Sequence, residues 1–409
     1  MHSLDLGWIR SQFPAFSVEV DGHPAGYFDG PGGTQVPRAV IEAVSETLAH
    51  RNANTHGAFL TSRRADAICA EAHAAVADLL GCDADEVVFG PNMTTLTFAM
   101  SRAIGRELSP GDEIVLTALD HDANFSPWKA LEERGVTIRV AEFRREDCTL
   151  DVEGLLGLIN EKTKLVAVGY ASNAVGTVNP VARIAEAAHA AGAWMFVDAV
   201  HYAPHGPIDV RAIDCDFLAC SAYKFFGPHQ GMIYGRRELL ERLRPYKVRP
   251  ADDHAPDRWE TGTQNHEAMA GVTAAVEYLA SLGERAGAAG SRREHLAGAM
   301  RTIQAYERKL AERLIGGLLA IPGLEFYGIR EPARFGERAP TVAIRMPGET
   351  SRQTAERLAA KGLFVWDGNY YALNWAERMG LQPDGAVRIG LAHYNTEAEV
   401  DRLLEALAG

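Results

Sequence analysis

The segment Trp194–Lys224, WMFVDAVHYAPHGPIDVRAIDCDFLACSAYK, contains two mainly apolar runs, Trp194–Asp198 and Asp216–Ser221. Apolar residues follow one another in these runs instead of alternating with polar ones. This pattern is typical of strands that are covered on both faces, as in a parallel sheet. Asp198 closes the first run and Lys224 follows the second. The segment therefore predicts two strands that end beside an acid and an amine.

The same pattern extends outward, from about residue 85 to residue 235. Apolar runs alternate there with segments of helical periodicity, which favours an α/β fold with a mostly parallel sheet and helices on both faces. The further predicted strands are Glu86–Phe89, Glu113–Thr117, Val136–Ala141, Leu165–Gly169 and Met232–Tyr234, and the predicted helices are Thr94–Leu108, Ser126–Arg134, Val152–Asn160 and Val181–Ala191.

The C-terminal part has a different pattern, in which long helices precede short strands. We therefore predict a large domain over residues 21–282 and a smaller α+β domain that consists of residues 283–409 together with residues 1–20. The predicted helices of this part of the chain are Asn265–Ser281, at the end of the large domain, and Ser291–Leu319, Ser351–Lys361 and Thr396–Ala408, and its predicted strands are Leu324–Tyr327, Thr341–Arg345, Leu363–Trp366 and Ala386–Ile389.

Composition excludes several classes of partner. The chain has 409 residues and a net charge of −13, which argues against nucleic-acid binding because that function needs a basic surface. The longest uncharged stretch, Leu165–Ala182, contains asparagines and glycines and is not a membrane span. The N-terminus lacks the pattern of a signal peptide, and five cysteines without a CxxC pair fit free thiols in a reducing compartment. We therefore expect a cytoplasmic protein.

Polar side chains follow the ends of the predicted strands, where ligands bind in parallel sheets. His121, Asn173, Asp198 and Lys224 each come just after a strand, and Thr94-Thr95 stand at the start of a helix. Free amide groups and the helix dipole favour a phosphate at such a position. One edge of the sheet would thus bring together an imidazole, an amide, an acid, an amine and a phosphate site.

Each of these residues also has a simpler interpretation. Asp198 could equally cap the following turn, and Thr94-Thr95 alone would more often be a helix cap. A lysine after a strand is usually solvated, but the apolar and Gly-Pro surroundings of Lys224 favour a lowered pKa and a Schiff base. The run Gly30–Gly33 is interpreted as a turn, since the chain has no phosphate-binding glycine motif.

A metal site is a further alternative. His121 is flanked by Asp120 and Asp122, and Asp198 precedes His201 by three residues. Neither group has an evident third ligand, which disfavours a metal centre. Pyridoxal phosphate, in contrast, needs all the predicted parts: a lysine for its aldehyde, a carboxylate for its ring nitrogen, a helix N-terminus for its phosphate and a flat partner for its ring.

Motifs over nearly the whole length carry a resemblance to a known family. The chain resembles the class V aminotransferase family of fold-type I pyridoxal-phosphate enzymes, and in particular its cysteine desulfurase and selenocysteine lyase branch. The resemblance implies a large seven-stranded sheet domain, a small C-terminal domain and a homodimer. The motifs are Tyr27–Asp29, Pro91–Thr95, Asp120–Asn124, Ser172–Thr177, Val197–His201, Ser221–Lys224, Glu260–Asn265 and Arg388–Thr396.

The resemblance also implies roles for individual residues. Lys224 would form the Schiff base, Asp198 would pair with the ring nitrogen, and His121 would stack on the ring. The remaining implied cofactor ligands are Thr94, Thr95 and Ser221 for the phosphate, Thr263 for the phosphate of the neighbouring subunit, and His201 and Tyr223 beside the ring, while Asn173 and Arg388 would hold the substrate carboxylate.

Several positions depart from the family pattern. Tyr371 stands where family desulfurases carry the cysteine that accepts sulfur, and Trp366 stands where they carry an arginine. All five cysteines precede Lys224. Tyr223 replaces the usual histidine before the lysine, and His201 replaces a common glutamine. These departures disfavour a persulfide mechanism on the C-terminal loop.

The predicted reaction is therefore α,β-elimination from an L-amino acid, a C–S lyase reaction that yields pyruvate and ammonia. Lys224 would be the general base, and Tyr371 or Tyr223 would protonate the leaving group. Epimerisation and transamination remain alternatives, as does a catalytically altered, cofactor-binding regulatory module. Trp366, Tyr370 and Tyr371 indicate a substrate bulkier or more apolar than cysteine, unless they are ordinary packing residues of the loop.

Overall fold

The computed structural model describes residues 4–409, and its centre is a seven-stranded sheet. The strand order is β1-β7-β6-β5-β4-β2-β3, in which β7 is antiparallel to β1 and β6 and the other pairs are parallel. The expected mostly parallel α/β sheet is thus confirmed. The strands are β1 Val87–Gly90, β2 Glu113–Thr117, β3 Thr137–Ala141, β4 Thr163–Gly169, β5 Trp194–Asp198, β6 Phe217–Ser221 and β7 Gly231–Gly235.

Helices cover both faces of this sheet, because alternate strand residues contact two separate apolar clusters. Val197 belongs to the cluster on the side of α3, α7 and α10, and Phe196 to the cluster on the side of α4, α5 and α9. The helices are α1 Leu6–Ser11, α2 Arg38–His50, α3 Leu60–Leu80, α4 Met93–Ile104, α5 Ser126–Lys129, α6 Val152–Leu158, α7 Val181–Ala190, α8 Val210–Ile213, α9 Arg237–Arg242, α10 His266–Arg285, α11 Arg292–Leu319, α12 Ser351–Ala359, α13 Leu373–Arg378 and α14 Glu397–Ala408.

A second, four-stranded antiparallel sheet forms in the C-terminal part, with the order β8-β9-β11-β10. It packs with α11, α12 and α14 around a separate apolar cluster. The boundaries of the two domains remain a prediction, and residues 1–3 of the N-terminal segment assigned to the small domain lie outside the described residues. The strands are β8 Glu325–Tyr327, β9 Thr341–Arg345, β10 Trp366–Gly368 and β11 Ala386–Gly390.

Two predicted elements are wrong in detail. The strand predicted at Leu363–Trp366 is divided, because Leu363–Phe364 pairs with Gly26–Tyr27 whereas β10 pairs with β11. The helix predicted at Ser126–Arg134 tightens after α5 into a 3₁₀ turn at Ala130–Arg134. Other short elements are the strand pairs Glu19–Val20 with His23–Pro24 and Phe143–Arg144 with Thr149–Leu150, and the 3₁₀ turns Pro14–Ser17, Gly30–Gly32, Ala84–Glu86, Asp122–Asn124, Ala222–Lys224 and Pro332–Glu337.

A close approach between two backbone segments shapes the edge of the sheet at which the polar residues lie. A Cβ atom on Gly231 would collide with the backbone of Asn92 and Met93, so only glycine lets β7 lie against the start of α4. The run Gly30–Gly33 contains the 3₁₀ turn Gly30–Gly32, which confirms the predicted turn.

None of the helices within residues 4–409 combines the length and the apolar character that crossing a membrane requires.

Candidate active site

A cavity lies beyond the carboxyl ends of the central strands, at the edge where the sequence places its unusual polar residues. His121, Asn173, Asp198 and Lys224 all line it, so the predicted convergence of these four side chains is observed. Their chemical roles remain predictions. The other predicted site residues in the lining are Thr94, His201, Ser221 and Tyr223.

Lys224 ends the 3₁₀ turn that follows β6, and only 8% of its surface is exposed. Its Nζ atom donates a hydrogen bond to the carbonyl oxygen of Pro31. Burial and, to a smaller extent, the charge of Arg388 lower the pKa of Lys224 to about 7, against the opposing effect of the charge of Asp198. A substantial fraction of the amine is therefore neutral and nucleophilic near pH 7.

Asp198 is the last residue of β5, and it is buried. Its Oδ1 atom accepts a hydrogen bond of 3.0 Å from the backbone N–H of Val200. Burial raises the pKa of Asp198 to about 6, against the effects of that hydrogen bond and of the charge of Lys224. The aspartate thus caps the next turn and also presents a carboxylate to the cavity, so the two interpretations of Asp198 are compatible.

His121 lies at the start of the turn after β2, where its Nδ1 atom accepts a hydrogen bond of 3.0 Å from the N–H of Ala123. Burial lowers the pKa of His121 to about 4, and the charges of Lys224 and Arg388 act in the same direction. The imidazole is therefore neutral at pH 7 and carries its proton on Nε2. The ring of Tyr371 stacks against it, with a centroid separation of 5.5 Å and an interplanar angle of 25°.

Asp120 is a site residue that the sequence suggested only as part of a metal group. It is 3% exposed and lines the cavity. Its carboxylate accepts hydrogen bonds from the Thr117 hydroxyl at 2.7 Å, the Gly169 N–H at 2.9 Å and the Asn124 amide at 2.8 Å. These bonds join the ends of β2 and β4 and fix the turn that carries His121. Burial raises the pKa of Asp120 to about 7.

The predicted phosphate ligands are only partly brought together. Thr94 and Ser221 line the cavity at the N-terminus of α4 and the end of β6, whereas Thr95 does not. The Thr95 N–H instead donates to the side chain of Asn92 at 2.8 Å, as expected at a helix cap. Thr263 is exposed and lies just before α10, outside the lining. A contribution of Thr263 to a neighbouring subunit remains a prediction.

Arg388 and Asn173 form a buried polar pair beside the cavity. Arg388 lies on β11, and its Nη1 atom donates to the carbonyl oxygen of Asn173 at 3.0 Å. The Nε atom of Arg388 and the Oδ1 atom of Asn173 are buried without a hydrogen-bond partner. Because buried polar atoms are nearly always paired, these two atoms mark a place where a polar ligand would bind.

Two of the four positions that depart from the family pattern, His201 and Tyr223, line the cavity. His201 is buried, and its Nε2 atom lies 3.1 Å from the hydroxyl oxygen of Thr341. Tyr223 stacks on His229, with ring centroids 5.1 Å apart. Tyr371 does not itself line the cavity; it is 72% exposed and contacts the site through His121. The predicted catalytic Tyr371 is thus at the mouth of the site.

No cysteine among residues 4–409 belongs to the lining of this cavity. Burial raises the pKa of every thiol, to about 12 for Cys69 and about 11 for Cys148, which leaves little reactive thiolate at pH 7. Within the same residues, no group of three or more His, Cys, Asp or Glu side chains could hold a metal ion.

Comparisons with known proteins agree with this geometry. Residues 26–403 match the family model Aminotransferase class-V. A cysteine desulfurase from Pectobacterium atrosepticum is 32% identical over 99% of this chain and 98% of its own length. The apo structure of a cysteine desulfurase from Thermococcus onnurineus NA1 has a TM-score of 0.88 at 27% identity and covers 100% of this chain and 98% of that chain. The cysteine desulfurase CsdA from Escherichia coli has a TM-score of 0.84 at 26% identity, with 98% and 97% coverage.

Proposed function

Because the chain belongs to the class-V aminotransferase family and is a pyridoxal-phosphate-dependent enzyme, we propose that it is a lyase that eliminates a β-substituent from an L-amino acid. The preferred leaving group is a thiol, as in a C–S lyase. The proton leaves Cα, the bond between Cβ and the leaving group breaks, and the unsaturated amino acid hydrolyses to pyruvate and ammonia.

The residues of the cavity fit pyridoxal phosphate. Lys224 would bind its aldehyde, Asp198 its ring nitrogen and His121 the face of its ring, while Thr94 and Ser221 at the start of α4 would hold the phosphate. The fit rests on a buried amine of lowered pKa beside a buried carboxylate, in one cavity with a helix N-terminus. When bound, the cofactor supplies an electron sink for the negative charge left at Cα.

Individual side chains of the protein then bind the substrate and transfer the protons. Arg388 and Asn173 hold the substrate carboxylate, which the unpaired N–H donor at Nε of Arg388 supports. Lys224 removes the proton from Cα, since its lowered pKa makes it a base near neutral pH. The hydroxyl of Tyr371 or Tyr223 gives a proton to the leaving group. His121, held neutral by burial, orients the ring without adding a charge.

The observation that carries elimination over desulfuration is the loop at residues 368–372. This loop carries no thiol, and Tyr371 occupies the mouth of the site against His121. Its backbone is attached to the site wall, because the Asp122 N–H donates to the Tyr371 carbonyl at 2.7 Å and the Asn173 amide to the Tyr370 carbonyl at 2.9 Å. This loop is thus held against the site and carries no thiol that could accept sulfur, and both features support a lyase.

Product analysis tests this proposal. We expect L-cysteine, cystine and S-alkyl cysteines each to yield pyruvate and ammonia in equal amounts, together with one equivalent of hydrogen sulfide, cysteine persulfide or thiol, respectively. A variant with all five cysteines replaced by serine or alanine should keep that product ratio. Formation of alanine together with a persulfide on a protein cysteine would overturn the proposal. Inverted amino acid, or keto acid without loss of the β-substituent, would instead assign epimerisation or transamination.

The variant Tyr371→Phe tests whether Tyr371 is the acid that protonates the leaving group. If Tyr371 protonates the leaving group, its removal should slow elimination of a thiol by about 100-fold, the lower end of general-acid contributions. Elimination of chloride from β-chloroalanine needs no proton and should stay unchanged. Tyr223→Phe provides the matched test of the other tyrosine. Equal slowing of both substrates would exclude the acid role, and steady-state kinetics on the two substrates decide between them.

The pKa of Lys224 predicts how cofactor uptake depends on pH. Only the neutral amine reacts with an aldehyde, and burial lowers its pKa from 10.5 to about 7. The rate at which the cofactor-free protein gains its visible absorption should therefore rise with pH and reach half its maximum near pH 7. A midpoint near 10 would show that Lys224 is solvated. Stopped-flow absorbance from pH 5.5 to 9 measures this rate.

We also propose that two copies of the chain form a homodimer, in which Thr263 reaches the partner's phosphate site. The exposed position of Thr263, outside its own cavity, is consistent with this role. Thr263→Ala should weaken cofactor binding in the dimer without changing the mass measured by light scattering.

A further inference from the structure

Tyr370 lies directly beneath the arginine that is proposed to hold the substrate. The guanidinium carbon of Arg388 is 4.4 Å from the centroid of the Tyr370 ring. The Tyr370 hydroxyl donates to the carbonyl oxygen of Ala386, which lies two residues before Arg388 on β11. The ring is therefore attached to the same strand that carries the arginine, and it supports the guanidinium from one face.

The backbone of Tyr370 contacts the second carboxylate ligand. Its carbonyl oxygen accepts a hydrogen bond of 2.9 Å from the Asn173 side-chain amide, which turns Oδ1 of Asn173 away from the loop. Tyr370 adopts a φ of 56°, and Tyr371 follows with a φ of 60°. Such left-handed conformations are unfavourable for bulky residues, so the surrounding contacts must hold the loop in this form.

We propose that Tyr370 is a positioning residue that orients Arg388 and Asn173 to bind the α-carboxylate of the substrate. This inference rests on the part of the proposed function that assigns the substrate carboxylate to Arg388 and Asn173. From the sequence, Tyr370 was expected only to favour a bulky or apolar substrate. Among the described residues, Tyr370 contacts both members of the pair, and it leaves unpaired the Nε–H of Arg388, a donor that remains for a carboxylate.

The packing explains why an aromatic ring is needed. Arg388 is buried, and among the described residues its guanidinium donates a hydrogen bond to the backbone carbonyl oxygen of Asn173. A cation over an aromatic face is held by the negative face of the ring, and this attraction is largest where water is excluded. Trp375 also stacks on Tyr370, with ring centroids 6.4 Å apart, and this contact helps to hold the tyrosine ring in place.

The test compares Tyr370→Leu with Tyr370→Phe in the holoenzyme. We expect Tyr370→Leu to raise KM and the dissociation constant for the amino acid about 30-fold, which corresponds to a desolvated cation–π contact, with kcat changed little. Tyr370→Phe keeps the ring and should change both constants less than about threefold. Titration calorimetry measures the dissociation constants, and the α-amide of the same amino acid serves as a ligand without a carboxylate.

The amide separates positioning from a merely structural role. Tyr370→Leu should leave the affinity for the amide unchanged, since the amide does not use the arginine as a carboxylate does. Equal losses for acid and amide, or no loss for either, would overturn the proposal. Tyr327→Phe removes another tyrosine hydroxyl near Trp375 and should alter neither affinity. If the enzyme binds amino acids through Arg388 but yields no elimination product, the proposed function fails while this inference stands.

Discussion

Replacing Lys224 with alanine is expected to lower turnover by at least about 10⁴-fold, the upper end of a general-base contribution, and to remove the visible absorption of the holoenzyme. Lys224 would serve both as the attachment of the cofactor and as the base at Cα, so both functions are lost together. It lines the cavity with a pKa of about 7, and among the described residues no other lysine lines that cavity. Absorbance spectra and initial rates measure the two losses.

A matched control distinguishes this effect from a loss of folding. Lys129→Ala removes an exposed lysine whose ammonium lies 2.9 Å from Glu132 on the surface. Such surface ion pairs contribute about 0–1 kcal/mol, so this variant should keep both spectrum and rate. If Lys224→Ala retained its visible band while circular dichroism matched the unaltered protein, Lys224 would not be the attachment point. Partial restoration of the rate by added ethylamine would support the loss of an amine base.

Replacing Asp198 with asparagine is expected to reduce kcat by about 10²–10³-fold, because removing one partner of a buried charge pair costs about 3–5 kcal/mol. Asparagine can still accept the Val200 N–H through its side-chain oxygen, so the turn after β5 should be preserved. The variant would lose the negative charge that is proposed to keep the cofactor ring nitrogen protonated. A shift of the absorption maximum should accompany the loss of rate.

Asp216→Asn is the control for Asp198. Asp216 is also buried, but it lies before β6, where it accepts a hydrogen bond of 2.7 Å from the Met195 N–H and forms an ion pair of 3.0 Å with Arg236. Asp216→Asn should lower the melting temperature and leave kcat near its original value. Asp198→Asn should lower kcat and leave the melting temperature near its original value. A normal kcat in Asp198→Asn would exclude the proposed pairing with the ring nitrogen.

The strands of the large sheet could be predicted from sequence because their signal is local. Trp194–Asp198 and Glu113–Thr117 are continuous apolar runs, and both were predicted with their observed bounds. The convergence of His121, Asn173, Asp198 and Lys224 follows from the same pattern, since parallel strands place their carboxyl ends at one edge. Sheet topology thus supplied the main part of the site.

The parts that sequence reasoning missed depend on contacts between distant segments. The acceptor for Lys224 is the backbone carbonyl of Pro31, and no side-chain pattern identifies a carbonyl oxygen. Asp120 gains its role from Gly169, which is 49 residues away. In each case the deciding partner is known only once the chain is folded.

The attachment of the loop at residues 368–372 has a consequence for sulfur transport. A persulfide carrier must travel, because it collects sulfur at the cofactor and then delivers it to an acceptor outside. Here the carbonyl oxygens of Tyr370 and Tyr371 are both bonded to the site wall, through Asn173 and Asp122. Delivery by this loop would require breaking both bonds in every cycle. The substitution Tyr371→Cys would therefore restore the thiol, but it would not give the loop the mobility that sulfur delivery requires.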